Sequence, residues 1–445
     1  MSKNPLKAIF DIKKDELPFT ILMSLYFFLV ITSFWILKPI KKAIFIQYYD
    51  QIGFDLFNWH MLASQAELLA KVLNMIVAYA AVVVFSLLVR RFARQQLTYV
   101  FSLFFIFSYI IYSQFINSPT DTTVWTFYLF GDLFSTLMVA TFFAFLNDSV
   151  SSDAAKRSYG LIGFGGVFGG VFGSSFLLAK IEVISNSNWL MICLGIAVVI
   201  IVVANFAGRL VNQKALQEKV VEVSKTVETK NENPALEGAK LVFRSPYLLS
   251  IVGIVGLYEM VSTIMDFQFT ETISHYLDGD AIKRQFATAF TITNWTAMFV
   301  QLFLTSFVMT RFGVGIALLF LPFAALSWSI GYLMFPILWI GTTLNTADNG
   351  FSYSINQSAK EALYVPTTKD EKYKAKAFID MFVQRFGKVV AVGLSLIITT
   401  IFTAFGAFRW LSLLTATILV VWIIAARYAG KRFEILSTEL KEYIK

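Results

Sequence analysis

The sequence predicts an all-α membrane protein with twelve transmembrane helices. Three observations predict it. Hydrophobic residues make up 57% of the 445 residues and charged residues only 15%, which is too little charge to keep a domain in water. The mean hydropathy is +0.66. The apolar residues also fall in runs of about 20, the length that carries a helix across the hydrocarbon core. These runs lie near residues 18–37, 66–88, 97–116, 122–146, 158–179, 189–208, 247–267, 286–309, 313–335, 337–356, 377–403 and 408–426.

The remaining composition narrows the class. A single cysteine, Cys193, excludes an internal disulfide, and two histidines, His60 and His275, are too few for a histidine metal cluster. No cofactor is expected. A net charge of +8 would suggest nucleic acid in a soluble protein. In a membrane protein it reflects loops rich in Lys and Arg, so no nucleic-acid partner is expected. The N-terminal MSKNPLKAIFDIKKDE runs straight into the first span and is read as lacking a cleavable signal.

Orientation follows from the basic residues. Of 37 Lys and Arg, 27 fall in the set of loops that includes both termini, 7 in the opposite set and 3 inside spans. The asymmetry places both termini in the cytoplasm. Three of the seven exceptions are Lys38, Lys41 and Lys42 in WILKPIKKAI, just past the first apolar run.

The polar stretch 209–245 divides the chain into a six-span half at 1–208 and a second at 246–445 with a cytoplasmic tail. The halves echo each other. Arg91-Phe92 after the second span answers Arg311-Phe312 after the eighth, and Asp132 in the fourth answers Asp348 in the tenth. The Asp153-Ala-Ala-Lys motif before the fifth answers Asp370-Glu-Lys before the eleventh. Weak repeats of this kind mark transporters built from two pseudo-symmetric bundles, with the substrate held near the midplane. The architecture expected is therefore major-facilitator-like, by fold-level analogy.

A charge at membrane depth costs about 2.5–3.5 kcal/mol on insertion scales and should face a cavity or a partner. The charges in question are Lys71, Asp132, Glu259, Asp348, Asp380, Arg385 and Lys388, with Lys38, Lys41 and Lys42 at a rim. The three lysines lie at i, i+3 and i+4, so a continued helix presents them on one face. They either snorkel to the headgroups or form an ammonium cluster suited to phosphate. Lys71 follows Glu67 by four residues, the favoured order for a local ion pair. Asp132 and Glu259 are single mid-span carboxylates, expected to pair with these lysines, to contact substrate or to carry protons. Asp348 belongs to a span unusually rich in polar residues, with Asn345, Asn349, Ser352, Asn356 and Gln357, which should line water or substrate rather than lipid.

GLIGFGGVFGGVFG lacks the Lys-Ser/Thr of a phosphate-binding loop. Its Gly165, Gly169 and Gly173 recur every four residues and predict close helix packing. With five or six cations expected at one cavity and few carboxylates opposed, the fitting ligand is a multiply charged anion such as a nucleoside di- or triphosphate. Trp35, Tyr258 and Trp295 are candidates to stack a base.

At these residues the chain resembles the ATP/ADP translocases, the nucleotide transporter family of intracellular bacteria and plastids. ILKPIKKAIF resembles that family's first-helix ILRDTKDxLV and selects Lys41. ELLAKVLN resembles PFLKxW and selects Lys71. GDLFSTLMVATFFAFLND followed by DAAKRSYGLIGFGG resembles ELWGS…FANQ…EAKRFYxLFGxG and selects Asp132, with Asp for the usual Glu. GLYEMVST resembles xLVEVTWK and selects Glu259. KAKAFIDMFVQRFGKVV resembles KGKxxIDVxxxRxGKSGG and selects Arg385 and Lys388. The chain departs by losing both acids of the first-helix motif and by replacing Ser-Gly-Gly with Val-Val-Ala after Lys388. It looks like a divergent branch.

The resemblance implies a secondary transporter, not an enzyme, exchanging ATP/ADP-type nucleotides or a related phosphorylated anion by alternating access in a bacterial inner membrane. It implies substrate-binding roles for Lys41, Lys71, Asp132, Glu259, Arg385 and Lys388. Lys38, Lys42, Asn345 and Asp348 are possible additional contacts from the residue-level reading. The partners expected are a small anionic substrate and membrane lipid, with the monomer as functional unit. A proton-coupled facilitator for another organic anion, with Asp132, Glu259 or Asp348 titrating, and a non-transporting membrane scaffold are the alternatives.

Overall fold

A computed structural model describes residues 12–150, 152–211, 234–368, 371–402 and 404–444. Most of the polar stretch 209–245, and Asp370 of the repeat, lie outside the described residues. Each expected span is helical. Six helices form first: α1 (Leu17–Tyr49), α2 (Ala63–Arg91), α3 (Arg94–Phe115), α4 (Asp121–Ser149), α5 (Ser152–Lys180) and α6 (Asn186–Arg209). A two-stranded hairpin, β1 (Phe54–Leu56) and β2 (Trp59–Met61), lies between α1 and α2. A short helix α7 (Pro234–Arg244) precedes α8 (Pro246–Tyr276) and α9 (Asp280–Phe299). The eighth span continues from α9 through a π-helical segment, Val300–Thr305, to Arg311. Then follow α10 (Gly313–Met334), α11 (Leu338–Phe351), α12 (Gln384–Ile401) and α13 (Leu411–Ile444).

Among the described residues, eleven helices are long and apolar enough to cross a membrane. The remaining expected span, the tenth at 337–356, is the exception in composition rather than in helicity. It is α11 continued through a π-helical segment, Ser352–Asn356, and on to Ala362, and its polar residues lower its hydropathy.

Chain contacts separate two compact units. One holds α1 to Tyr48, α2 from Leu73, α3 to α6, and the stretch Phe286–Thr291 of α9. The other holds Tyr49–Val72, the rest of α9, α7, α8 and α10 to α13.

In the first unit the glycine register works as the spacing predicts. A Cβ on Gly169 would lie 2.5 Å from the Phe28 carbonyl oxygen, and one on Gly173 would lie 2.7 Å from that of Thr32. Gly165 meets Ser24 in the same way. Ser24, Phe28 and Thr32 are themselves four apart, so two matched i, i+4 stripes bring α1 and α5 backbone to backbone. Ser24 Oγ donates to the Leu161 carbonyl at 3.0 Å and Thr32 Oγ1 to that of Gly169 at 3.2 Å. At the start of α1, Glu16 pairs with Arg157. The guanidinium hydrogen bond holds the Glu16 carboxyl below the usual carboxylate range.

α8 is the axis of the second unit. Eighteen of its 31 residues are buried, and it packs on α11, α12 and α13. A Cβ on Gly387 of α12 would lie 2.7 Å from the Gly256 carbonyl oxygen of α8, so bare backbone meets bare backbone there too.

Gly169→Ala is therefore expected to lower stability by about 1–3 kcal/mol through overpacking. Gly163→Ala, with nothing within 4 Å of the new methyl, should be neutral or gain about 0.5–1 kcal/mol of helix preference. Unfolding temperatures of the two variants in detergent separate these outcomes.

Candidate functional site

The three lysines of WILKPIKKAI do not lie beyond the end of a helix. α1 runs unbroken for 33 residues from Leu17 to Tyr49 with Pro39 inside it. Proline costs one backbone hydrogen bond, a loss that membrane helices accommodate through neighbouring groups. Lys41 and Lys42 are consequently buried, 5% and 4% exposed, which removes the snorkelling reading for both. Lys38 is half-buried, with its ammonium 4.7 Å from the Trp35 ring and 4.9 Å from Phe290. The Lys42 ammonium lies 5.4 Å from the Phe286 ring.

Lys41 makes an ion pair with Asp132 of α4. Two neighbours in the GDLF motif region prepare this pair. The Tyr128 ring, one turn earlier on α4, sits 4.3 Å from the ammonium. A Cβ on Gly131 would come within 2.6 Å of Lys41 Cδ, so the glycine clears a path for the lysine stem. Asn74 Nδ2 of α2 donates to the second Asp132 oxygen at 2.8 Å. The carboxylate is thus engaged on both sides, as a charge at membrane depth requires.

The second unit holds the other candidates. Lys71 of α2 pairs with Glu67 one turn back at 3.2 Å and with Asp266 of α8. The local i, i+4 pair and a tertiary pair coexist. Asn345 Nδ2 of α11 donates to the other Asp266 oxygen at 3.1 Å. Glu259 of α8 faces Lys388 of α12 at 3.4 Å. Asp348 is 1% exposed and accepts from Ser262 Oγ at 2.6 Å. Arg385 is half-buried one turn before Lys388, and no ion pair or side-chain hydrogen bond engages it among the described residues. Asp380 is also half-buried, in a π-helical segment Ile379–Val383 that leads into α12.

Two expectations need correction. The cations are not left with few carboxylates opposed: Lys41, Lys71 and Lys388 each have at least one. The reason is the desolvation cost, which a buried ammonium can meet only with a counter-charge. Two stacking candidates are also already engaged. Trp35 is 5% exposed and packs on Phe290 at 5.8 Å. Tyr258 accepts from Ser352 Oγ at 2.6 Å and packs edge-on against Trp422 at 5.8 Å. Trp295 is half exposed.

Asp266 escaped the sequence reading because it sits at the edge of the seventh apolar run. A signal was present: Glu259, Ser262 and Asp266 lie at i, i+3 and i+7, one face of a helix. Asn74 lies at i+7 from Glu67 and i+3 from Lys71, so it shares their face in the same way.

Comparisons with known proteins place the chain in a family. A family model described as TLC ATP/ADP transporter matches residues 120–338 and 329–433. The chain belongs to the TLC ATP/ADP transporter family. A chloroplastic ADP,ATP carrier protein 1 of Arabidopsis thaliana is 23% identical over 71% of this chain. ADP,ATP carrier protein 3 of Rickettsia felis is 23% identical over 86% of the chain and 87% of its own length. The chain spans about half the length of the chloroplast relatives, 55% and 56%. Among solved structures, a variant of the nucleoside transporter NupG superposes with TM-score 0.64 at 11% identity, covering 92% of this chain and 99% of NupG. A bacterial homologue of the lysosomal transporter Spinster gives TM-score 0.57 at 12% identity, covering 95% and 98%. The fold is that of major-facilitator transporters, and the family is one of transporters rather than enzymes. This member is divergent.

Removing one partner of the Lys41–Asp132 pair strands a charge. Lys41→Met is expected to cost about 3 kcal/mol, whereas Lys41→Met combined with Asp132→Asn should cost much less. A double-mutant cycle on thermal unfolding in detergent measures the difference. Equal losses in the single and double variants would contradict a stabilising pair.

Proposed function

We propose that the chain is a secondary-active transporter that moves ATP/ADP-type nucleotides, or a closely related phosphorylated anion, by alternating access and exchange. The observation that carries the proposal is Lys71 held by Glu67 and Asp266 in a family of ATP/ADP transporters. An ammonium that already has carboxylate partners is a phosphate site with internal ligands in place. Substrate phosphate replaces a carboxylate, so the empty site is neutralised without water or lipid entering.

In this reading Lys41, Lys71, Arg385 and Lys388 hold phosphates. Asp132, Glu67, Asp266 and Glu259 are the counter-ions released when substrate binds. Arg385 supplies a planar fork suited to phosphate oxygens. Lys38, Lys42, Asn345 and Asp348 are secondary contacts. The functional halves are residues 1–208 and 246–445, joined by a cytoplasmic linker at 209–245. Both termini are cytoplasmic, the monomer is the working unit and the membrane is the bacterial inner membrane. The relatives named as ADP,ATP carriers support the nucleotide part of the reading.

Purified protein in detergent should gain thermal stability with ATP and ADP, and less with sugar phosphates, inorganic phosphate or dicarboxylates. A hundredfold excess of ligand over Kd is worth about 2.7 kcal/mol. Lys41→Ala and Lys388→Ala should reduce the shift and the exchange of labelled ATP in proteoliposomes. Intact binding and transport of every phosphorylated ligand in both variants would overturn the proposal. Uptake driven by a pH gradient without counter-substrate would replace exchange by proton coupling.

A further inference from the structure

The segment Tyr49–Val72 lies in the first half of the sequence, yet by contact it is part of the second unit. It runs from the end of α1 through the hairpin into α2. Side-chain hydrogen bonds tie it down. Ser64 Oγ donates to the Glu271 carboxyl of α8, and Ser274 Oγ of α8 donates to the Asp50 carboxyl. The two bonds are reciprocal: each side gives one hydroxyl and one carboxyl. Ser274 follows Glu271 by three residues, so both bonds use one face of α8. Gln65 Nε2 adds a bond to Thr399 Oγ1 of α12 at 2.9 Å.

Glu271 breaks the pattern set by Lys41, Lys71 and Lys388. It lies inside the apolar span Pro246–Tyr276 and is 7% exposed. Among the described residues, Ser64 is its one side-chain partner in a hydrogen bond or ion pair. The charged and titratable groups around it are engaged elsewhere or exposed. On α8, Asp266 pairs with Lys71, and the His275 ring stacks on Phe405 at 3.7 Å. On Tyr49–Val72, Asp50 is half-buried and takes Ser274, Glu67 shares Lys71, and Asp55 pairs with His60 at 2.7 Å. The Tyr332 hydroxyl of α10 is bonded to Thr272 Oγ1 at 2.7 Å. α12 offers the hydroxyl of Thr399, which does not titrate. Asp278 and Asp280, past the end of α8, are exposed. Lys283 of α9 makes no ion pair with Glu271.

A hydroxyl does not neutralise a carboxylate, and an ionised carboxyl taken out of water without a counter-charge is costly. A proton removes that cost. The carboxylic acid still bonds to Ser64, because it can donate as well as accept. Once the segment lifts from α8, the carboxyl meets water and ionises.

Resting on the alternating-access reading above, we infer that Glu271 binds a proton when Tyr49–Val72 is docked on α8 and releases it when the segment lifts. The reciprocal clasp is then a pH-sensitive gate, on the outer side in the proposed orientation. Its titrating residue is separate from the phosphate contacts. The docked form binds the proton, so docking is favoured as pH falls. One proton shifts the docked-to-lifted ratio by up to about tenfold per pH unit.

Two measurements test the gate. Infrared spectra of the protein in lipid report the carbonyl stretch of a protonated carboxyl directly. The difference between wild type and Glu271→Gln should contain that band at neutral pH, and Asp50→Asn should keep it. A difference that contains only carboxylate bands overturns the inference. Ser64→Ala retains the carboxyl and removes its partner, so it should move the band. An unmoved band overturns the inference whether or not the glutamine variant folds. Exchange of labelled ATP in proteoliposomes is then followed from about pH 5 to about pH 9, and wild type should speed up about tenfold as the clasp loosens. Glu271→Gln is neutral at every pH and keeps a bond to Ser64, so its rate should stay flat near the wild-type value at low pH. A Glu271→Gln profile that still follows wild type, or a profile flattened by Asp50→Asn alone, overturns the inference. Wild-type protein that exchanges no nucleotide overturns the transporter reading, and the infrared band still decides the proton site.

Discussion

A charge inside the membrane must bring its counter-charge with it. That constraint orders the interior of this protein. Lys41 has Asp132, Lys71 has Glu67 and Asp266, and Lys388 has Glu259. Each ion pair ties side chains from two different helices, and Lys71 adds a second carboxylate from its own. An unpaired lysine at these depths would cost several kcal/mol. In the proposed reading, such a site binds an anion by exchange of partners. The affinity seen from outside is then a difference between two strong interactions, which keeps binding reversible while each interaction remains strong. Lost acids in the first-helix motif do not leave the cations bare, because acids on other helices take over the role.

Close approach of helices is the second requirement, and glycine meets it. The ion pairs span only a few ångströms, so the helices carrying them must be positioned by their backbones. Gly165, Gly169 and Gly173 let α1 lie against α5, and α1 is the helix that carries Lys41. Gly131 lets the Lys41 stem cross α4 to reach the Asp132 carboxylate beside it. Packing glycines and charged residues therefore act on the same helix: the first set its place, and the second use it.

Much of this was legible in the sequence. Eleven spans are apolar runs, the glycine register appeared as a four-residue repeat, and mid-span carboxylates announced partners. The depth of the lysine cluster did not appear. Pro39 looks like a helix end, and only tertiary contacts show that α1 passes through it. Asp266 was hidden at the margin of an apolar run, where a charge needs no special explanation. The stacking candidates failed for a different reason. Composition shows that an aromatic ring exists, whereas exposure depends on which neighbours have already claimed it. Trp35 is covered, packed on Phe290.

The backbone of the second unit marks its polar side independently of the charges. Among the described residues, four π-helical segments are found there: Val300–Thr305 in the eighth span, Ser352–Asn356 in the tenth, Glu371–Ala375 just before the eleventh and Ile379–Val383 near its start. A π turn loosens the i to i−4 ladder, and its carbonyls need polar neighbours or water that lipid cannot supply. Such turns are tolerated at membrane depth only where the chain faces protein or a wet lining. Ser352–Asn356 follows Asp348 by one turn, and Ile379–Val383 ends two residues before Arg385 and five before Lys388. Side chains and backbone thus identify the same surface by separate criteria. The charges and the π turns of this stretch both require a polar surrounding rather than lipid.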